Sequence, residues 1–300
     1  MKDYSEFIHF IIEKTKINKP LLIEKDILLH TLLYRLSRNK EFRNEYLFKG
    51  GSCLVKCYFD YYRFSIDLDF TYSRQEKWKG LSKSSRRKEL VLEAEQLASR
   101  DLGLKFITDI KNRRFIEFGS GSRLVTFKLY HRGELLKIQV NLVETLLFKS
   151  QKREVRSLLK GVSVTNQEKA YFRDFLKEYH EFEVLAYDLR EILCEKVRAI
   201  LTRRVQKLRD FYDLYILDKA GLKIKNYKNE IIRKLRPALK YRRYKEAFER
   251  NRRKFNISAE LIADSNELFL FVKQPDREEF TDFLNRTSEK LREIMNHIQV

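Results

Sequence analysis

Glycine, cysteine and long apolar runs are all scarce in this chain of 300 residues. Its three cysteines, Cys53, Cys57 and Cys194, are odd in number and lack the spacing of zinc ligands. This usage excludes a disulfide framework and predicts a cytoplasmic protein. No apolar run approaches the ~20 residues of a membrane-spanning helix, so we expect no membrane span. Acidic residues, Asp3 and Glu6 among them, interrupt the first apolar segment and argue against a secretory signal.

The five histidines are scattered, and no two of them form the His-x-x-x-His pair that binds zinc on a helix. Zinc chemistry is therefore not expected. Charge, in contrast, is plentiful, with 63 Lys and Arg against 43 Asp and Glu and a formal net charge of +20. Such an excess favours a polyanionic partner, RNA or DNA, over an acidic small molecule. A generally basic proteome would produce the same excess, so composition alone leaves the partner open.

Two of the nine glycines stand together at positions 50 and 51. The short apolar run Tyr46-Leu47-Phe48 precedes them, and the residues from Cys53 to Tyr58 have a helical pattern. Backbone amides at a glycine turn that opens a helix form an anion site, which the helix dipole strengthens. We therefore predict that Gly50, Gly51 and Ser52 bind phosphate.

Apolar and acidic residues alternate in the segment from Ser65 to Tyr72. In a strand, Asp67 and Asp69 would share one face and the apolar residues between them the other. Two carboxylates placed in this way can share a hard cation such as Mg²⁺. Taken singly, an Asp-x-Asp usually lies on the solvated face of an edge strand. A Gly-Gly-Ser on its own is usually a simple turn. Their order and spacing in a strand–turn–helix–strand pattern favour phosphoryl or nucleotidyl transfer.

A longer string begins with Phe48-Lys49-Gly50-Gly51-Ser52 and continues with Arg63-Phe64-Ser65-Ile66-Asp67-Leu68-Asp69-Phe70. It resembles the AbiEii/AbiGii toxin family of abortive-infection and toxin–antitoxin systems. The Gly-Gly-Ser, helix, Asp-x-Asp order more broadly resembles the polymerase-β-like nucleotidyltransferase superfamily. The resemblance runs from about Ile23 to about Leu217. It implies an NTP-dependent nucleotidyltransferase that uses Mg²⁺ or Mn²⁺ and is restrained by a cognate antitoxin. It also implies an α+β fold, with a small mixed sheet and helices followed by a mainly helical C-terminal domain.

A second match lies in a later amphipathic helix, which carries Lys196 within its apolar stripe. A buried ammonium needs an anionic partner, and the following segment offers Asp210 and Asp213. The residues themselves leave a structural ion pair and a catalytic one equally open. The resemblance implies that Lys196 and Asp210 are active-site residues, with Asp213 and Arg209 as further candidates. The polar face of the same helix is predicted to be solvated and carries Asp188, Glu191, Glu195, Arg198 and Thr202.

A further feature shared with the family is Glu24-Lys25-Asp26 ahead of a leucine-rich helix. Lys25 falls inside the apolar stripe of that helix, where a lysine either snorkels to the edge or reaches into a cleft. The resemblance favours the cleft.

The strand predicted over Leu135–Val143 departs from the superfamily pattern. Many members place a third carboxylate there, whereas the polar face of this strand carries Lys137, Gln139 and Asn141. Glu144 is only a distant substitute. Amide oxygens can still bind a metal or orient a hydroxyl. A site with two carboxylates should hold a second metal ion more weakly than one with three.

Further strands are predicted over Leu104–Ile110 and Arg123–Tyr130, and a helix that ends near Leu102. Residues 151–167 have no strong periodicity and are interpreted as a link between domains. We therefore predict a nucleotidyltransferase domain over residues 1–155 and a helical, basic domain over residues 156–300.

The segment from Lys223 to Lys254 has fourteen Lys or Arg and three Glu, with interleaved aromatic residues Tyr227, Tyr241, Tyr244 and Phe248, and Phe255 follows it directly. Basic side chains bind phosphates, and exposed aromatic rings can stack on unpaired bases. The alternative is a helix pair with buried aromatics and a solvated basic face.

Together these features predict a nucleotidyltransferase that moves NMP from an NTP to an RNA 3′ end, with tRNA as the specific expectation. The metal ligands and catalytic carboxylates would be Asp67 and Asp69, assisted by Lys196 and Asp210. The predicted nucleotide-binding residues are Gly50, Gly51, Ser52, Lys56, Arg63 and Asp213. Three alternatives stay open: a protein nucleotidylating enzyme, an NTP-binding regulator with little turnover, and an RNA-binding module that retains the fold.

Overall fold

The computed structural model describes residues 3–82, 84–85, 102–119, 123–255 and 266–298. The chain divides into two compact units. The first comprises Met1–Glu144 and Ser150–Ala186, and the second comprises Thr145–Lys149 and Tyr187–Val300. The predicted boundary between residues 155 and 156 thus falls inside the first unit, at the end of a strand.

The first unit combines helices with a sheet. Its helices are α1 (Ser5–Thr15), α2 (Pro20–Arg38), α3 (Lys40–Glu45), α4 (Gly50–Cys53), α5 (Gln75–Lys79), α6 (Asn166–Tyr171) and α7 (Arg173–Leu176), and a π-helical turn, Leu54–Tyr58, continues α4. Its strands are β1 (Tyr46–Lys49), β2 (Asp67–Tyr72), β3 (Ile116–Gly119), β4 (Leu124–His131), β5 (Glu134–Asn141), β6 (Gln151–Val155) and β7 (Phe182–Ala186).

These strands form one mixed sheet in the order β3-β4-β5-β2-β1-β7-β6. Strand β2, which carries Asp67 and Asp69, pairs antiparallel with β1 and parallel with β5. The predicted α+β fold is therefore confirmed, and β5, the strand predicted over Leu135–Val143, lies beside the Asp-x-Asp strand.

One face of the sheet is apolar because strand side chains alternate between faces. Leu68 and Phe70 of β2 pair in register with Ile138 and Val140 of β5, and all four are buried. The opposite face therefore receives Asp67 and Asp69. A register slip of one residue would exchange the two sets, so burial of the apolar set holds the carboxylates on the polar face.

The structure differs from the predicted strands in two places. Leu104–Ile110 is not a strand and contributes only an isolated bridge between Lys105 and Tyr130. The supposed link over residues 151–167 instead contains β6, which lies at the sheet edge and exposes Lys152, Arg153 and Glu154. An edge strand with so little burial lacks the alternation that reveals a strand in sequence. The predicted helix that ends near Leu102 lies outside the described residues.

The second unit is helical in its described part, as predicted. Its helices are α8 (Leu189–Thr202), α9 (Leu208–Lys219), α10 (Lys228–Leu239), α11 (Arg242–Lys254) and α12 (Arg277–Asn296), with short 3₁₀ turns at Ile224–Tyr227 and Leu268–Leu270. Helix α8 begins after Asp188, whose side chain accepts a hydrogen bond from the Arg190 amide at 2.9 Å and so caps the helix. Among the described helices, none combines the length and apolar character needed to cross a membrane.

A buried polar network joins α2 to the π-helical turn. Lys56 Nζ lies 2.6 Å from Asp26 Oδ1, and both side chains are 2% exposed. Tyr179 donates a hydrogen bond to Asp26 Oδ2 at 2.7 Å, and Lys56 Nζ lies 2.6 Å from the Tyr61 hydroxyl. Burial raises the pKa of both tyrosines well above the usual value, so both stay protonated and able to donate. The network holds the segment after the glycine turn against α2.

Asp26→Asn should lower the free energy of unfolding by about 3–5 kcal/mol, because it leaves the buried Lys56 ammonium without its counter-charge. Urea unfolding measures this loss. Glu76→Gln provides the matched control, since Glu76 is exposed and pairs with Lys79 three residues along the chain, and we expect no measurable change there. A loss below about 1 kcal/mol in Asp26→Asn would show that the ion pair is dispensable.

Candidate active site

The carboxylate of Asp69 lies close to the main chain at Gly50. The backbone of Gly50 is left-handed, with φ of 73°, which suits glycine. A Cβ atom at this position would lie 2.5 Å from Asp69 Oδ2. The paired strands β1 and β2 produce this approach, since Lys49 stands opposite Asp69 in their register. The first glycine of the motif is therefore required both for its conformation and for the space above it.

Gly51 is required by a different neighbour. The guanidinium of Arg63 fills the space that a Cβ atom at position 51 would occupy. Arg63 is 2% exposed and donates a hydrogen bond from Nη1 to the Phe64 carbonyl at 2.8 Å. The structure thus places this predicted nucleotide-binding residue against the glycine turn, within the protein.

Ser52 ties the start of α4 to the start of β2. Its hydroxyl is buried, lies 2.6 Å from Ser65 Oγ and bonds to the Asp67 carbonyl. The bonds of the hydroxyl are thus made inside the protein. Ser65, which stands in the motif two residues before Asp67, is a partner that the sequence interpretation missed.

Asp67 and Asp69 stand on the polar face of β2, and both are part-exposed. In the parallel register with β5, Asp67 pairs with Lys137 and Asp69 pairs with Gln139. Paired residues in a sheet project to the same side. The two carboxylates therefore share a face with an ammonium and an amide.

The third carboxylate is absent, as predicted. Gln139 donates a hydrogen bond from Nε2 to Thr126 Oγ1 of β4 at 3.0 Å. Glu144 accepts a hydrogen bond from Asn141 Nδ2 at 3.1 Å and stands beyond the end of β5. Among the described residues, no group of three or more His, Cys, Asp or Glu could hold a metal ion. The candidate ligands are thus the two aspartates.

Lys25 of α2 belongs to the surroundings of Asp67. Its side chain is part-buried, and burial lowers its pKa while the charge of Asp67 acts in the opposite direction. The Glu24-Lys25-Asp26 motif leads us to predict that this lysine reaches into a cleft. The adjacent Asp26 instead joins the buried network with Lys56. The Lys56 ammonium is thus paired inside the protein, and its part in nucleotide binding stays a prediction.

In the second unit, Lys196 of α8 binds two aspartates of α9. Its Nζ lies 2.7 Å from Asp210 Oδ1 and 2.5 Å from Asp213 Oδ2. Arg203 bonds to the other oxygen of Asp210. Lys196 is 12% exposed, and the two carboxylates are 3% and 0% exposed. The expected pairing is therefore present with both aspartates, and the cluster combines two cations with two anions.

Arg209 lies outside this cluster. It forms an ion pair with Glu267 at 3.3 Å, and its amide donates to the same carboxylate at 3.0 Å.

The face of α8 predicted to be solvated is largely buried, which corrects that expectation. Glu191 is 1% exposed, and its carboxylate accepts hydrogen bonds from the amides of Leu147 and Phe148. Lys234 of α10 lies 2.6 Å from Glu191 Oε1 and donates to the Thr145 carbonyl at 2.5 Å. These partners make burial of the charges tolerable. The sequence does carry a signal for this buried ion pair. Lys234 lies inside the apolar stripe of α10 and so needs an anionic partner, as Lys196 does in α8.

The basic segment over residues 223–254 forms mainly α10 and α11. Phe248 and Phe255 are buried, whereas Tyr227, Tyr241 and Tyr244 are part-exposed. The exposed cations of the two helices are Arg233, Arg236, Arg242, Arg243, Lys245, Arg250, Arg252, Arg253 and Lys254. The two phenylalanines thus serve the core, and the basic side chains form a charged surface.

A family model described as nucleotidyl transferase AbiEii toxin, type IV TA system, matches residues 31–296. The chain belongs to the AbiEii family. The predicted resemblance is thereby confirmed, and this AbiEii protein is a nucleotidyltransferase of a type IV toxin–antitoxin family. The match also includes the C-terminal third, where the sequence interpretation found no family motif.

Among solved structures, the AbiEii protein is similar to MenT4, a nucleotidyltransferase toxin from Mycobacterium tuberculosis H37Rv. The two chains are 18% identical, and the match covers 98% of this chain and 90% of that one with a TM-score of 0.51. At this identity the likeness concerns the fold. No curated protein matches the chain significantly.

If Asp69 is a ligand of a divalent cation, Gly50→Ala should abolish binding of that cation, because the new Cβ displaces the Asp69 carboxylate. Gly133→Ala is the matched control, since Gly133 has φ of 88° and open space around its Cα. Both variants should lose about 1–2 kcal/mol of stability from the left-handed conformation, measured by urea unfolding. Mn²⁺ binding, measured by electron paramagnetic resonance, should fail only in Gly50→Ala. Equal Mn²⁺ affinity in the two variants would contradict the close approach of Asp69.

Lys196→Met should lower the free energy of unfolding by about 3–5 kcal/mol, because it removes the ammonium that neutralises two buried carboxylates. Lys177→Met is the control, since Lys177 pairs with Asp174 at an exposed site. Thermal and urea unfolding of both variants test the difference. If Lys196→Met unfolds like the control, the cluster does not depend on this lysine for stability.

Proposed function

We propose that this AbiEii protein is a Mg²⁺-dependent enzyme that transfers NMP from an NTP to an RNA 3′ end, with tRNA as the preferred acceptor. The observation that carries the proposal is the placement of Asp67 and Asp69 on one strand face, with Asp69 directly over the glycine turn. This juxtaposition puts metal-binding oxygens beside main-chain amides that suit a phosphate.

The donor set fits Mg²⁺, since both aspartates are part-exposed and supply hard oxygen ligands. Mg²⁺ held by Asp67 and Asp69 would neutralise phosphate charge during transfer. The amides of Gly51 and Ser52 would bind the phosphate chain of the NTP. The hydroxyl oxygen of the acceptor forms a bond to the α-phosphorus, the bond to the β-phosphate oxygen breaks, and pyrophosphate leaves with that electron pair. The hydroxyl proton passes to solvent or to a base.

Lys196 enters the proposal through the family resemblance, as a cation for the triphosphate. Asp210 would orient Lys196, and this role is supported by its contacts, since its two oxygens each bind a cation. Activation of the acceptor hydroxyl by Asp210 is the alternative role. Asp213 would hold the same ammonium from the other side.

An RNA acceptor is supported by the exposed basic side chains of α10 and α11. Arg236 and Arg243 are examples of exposed cations on these helices. Their charge would bind the phosphate backbone without reading sequence. Because the family is described as a toxin of type IV toxin–antitoxin systems, a cognate antitoxin would restrain the activity.

A second candidate, an NTP-binding regulator with little turnover, is favoured by one observation. Gln139 stands beside Asp69 in the place of a third carboxylate. Tight NTP binding without release of pyrophosphate would favour this candidate over the transferase.

The test combines purified protein, Mg²⁺, total tRNA and each α-³²P-labelled NTP in turn. Asp69→Asn should reduce transfer to RNA below about one-hundredth of the wild-type rate, because the cation loses one of two carboxylate ligands. Asp282→Asn, the same change at an exposed position of α12, is the control and should leave the rate unchanged. The free energy of unfolding of Asp69→Asn should stay within about 1 kcal/mol of wild type.

Wild-type transfer by Asp69→Asn would overturn the metal-site assignment. Label on protein in place of RNA would identify a protein nucleotidylating enzyme. Biological effect that survives Asp67→Ala would identify an RNA-binding module on a retained scaffold.

A further inference from the structure

Lysines surround the two candidate metal ligands on the polar face of the sheet. Lys137 stands beside Asp67 in the register of β5 with β2. Lys49 stands opposite Asp69 in the register of β1 with β2 and is 6% exposed. Each carboxylate therefore has an ammonium-bearing residue as its direct neighbour in the sheet.

A third lysine reaches the same area from α2. Lys25 interacts electrostatically with Asp67, which favours its charge, and with Lys137, which opposes it. Glu134 at the start of β5 also acts on Lys25. Helix α2 packs against β2, so Lys25, Asp67 and Lys137 act on one another although α2 and β5 are far apart in sequence.

Gln139 adds no negative charge to this face. Its amide nitrogen is held by Thr126, and the nearby Glu144 is bonded to Asn141. Before any divalent cation binds, the two carboxylates therefore stand beside two lysines in the sheet, and Lys25 acts on Asp67 from α2. A second divalent cation would meet this positive charge without the third carboxylate that normally offsets it.

We propose that the site binds one divalent cation with the NTP, and that Lys137, supported by Lys25, supplies the positive charge that a second cation would otherwise supply. This inference rests on the proposed function, because it concerns the same transfer of NMP. In this arrangement the ammonium of Lys137 stabilises negative charge on the phosphates as the bond to pyrophosphate breaks. It takes no part in covalent chemistry and keeps its protons.

The first experiment counts bound cations. Mn²⁺ is titrated into the full-length protein with a non-hydrolysable α,β-methylene NTP, and free Mn²⁺ is measured by electron paramagnetic resonance. We expect one Mn²⁺ per chain in the wild type and a second in Gln139→Glu, which restores the missing carboxylate. Two Mn²⁺ in the wild type would overturn the inference and leave the proposed function standing. No bound Mn²⁺ would overturn both.

The second experiment removes the charge of Lys137. Lys137→Gln should lower the transfer rate at least about tenfold while the single Mn²⁺ binds more tightly, because a repelling charge has been removed. Removing a lysine that is merely structural would not lower the transfer rate and at the same time raise the affinity for Mn²⁺. Lys128→Gln is the matched control, since Lys128 pairs with Lys137 across β4 and β5 but binds Glu117 at 2.6 Å.

The rate and the Mn²⁺ affinity of Lys128→Gln should both stay within about twofold of wild type, because its charge is already neutralised. Thermal unfolding of both variants verifies that they fold. If Lys137→Gln folds and transfers NMP at the wild-type rate, Lys137 does not replace a cation, and the inference is overturned.

Discussion

The close packing of the Asp69 carboxylate and the Arg63 guanidinium over two adjacent glycines is the constraint on which the candidate site depends. Neither position 50 nor position 51 can carry a side chain without moving one of these groups. The pairing of β1 with β2 imposes the approach, since it places Lys49 and Asp69 opposite each other. The glycine turn and the carboxylate strand therefore depend on each other. This geometry explains why Gly-Gly and Asp-x-Asp occur together in the sequence.

Buried charge is the second recurring theme of this protein. Three ion-paired groups have little or no exposure: Lys56 with Asp26, Lys196 with two aspartates, and Lys234 with Glu191. In two of the three, Lys196 and Lys234, the lysine lies inside the apolar stripe of its helix. Such pairs are tolerated only when hydrogen bonds satisfy the remaining polar atoms, and Glu191 does so with two main-chain amides.

Periodicity predicted the elements that are long or half-buried, such as α2, α8 and β5, because each has one clear apolar face. It missed β6, an edge strand with exposed charged residues, and wrongly placed a strand over Leu104–Ile110. It also misjudged the exposure of Glu191. A helical wheel reports polarity and not the presence of a neighbour, so it cannot distinguish a solvated charge from a paired one.

The sequence by itself determined the family, the mixed sheet beside helices, the two aspartates on one strand face and the absence of a third acid at Gln139. These follow from local order, spacing and alternation, which need no knowledge of distant residues. Only the tertiary structure decided that Lys56 is neutralised by Asp26, that Arg63 and Asp69 cover the glycines, and that Lys25 interacts electrostatically with Asp67. Those outcomes depend on contacts between residues far apart in the chain, because electrostatic and packing energies are set by distance in space and not by separation in sequence.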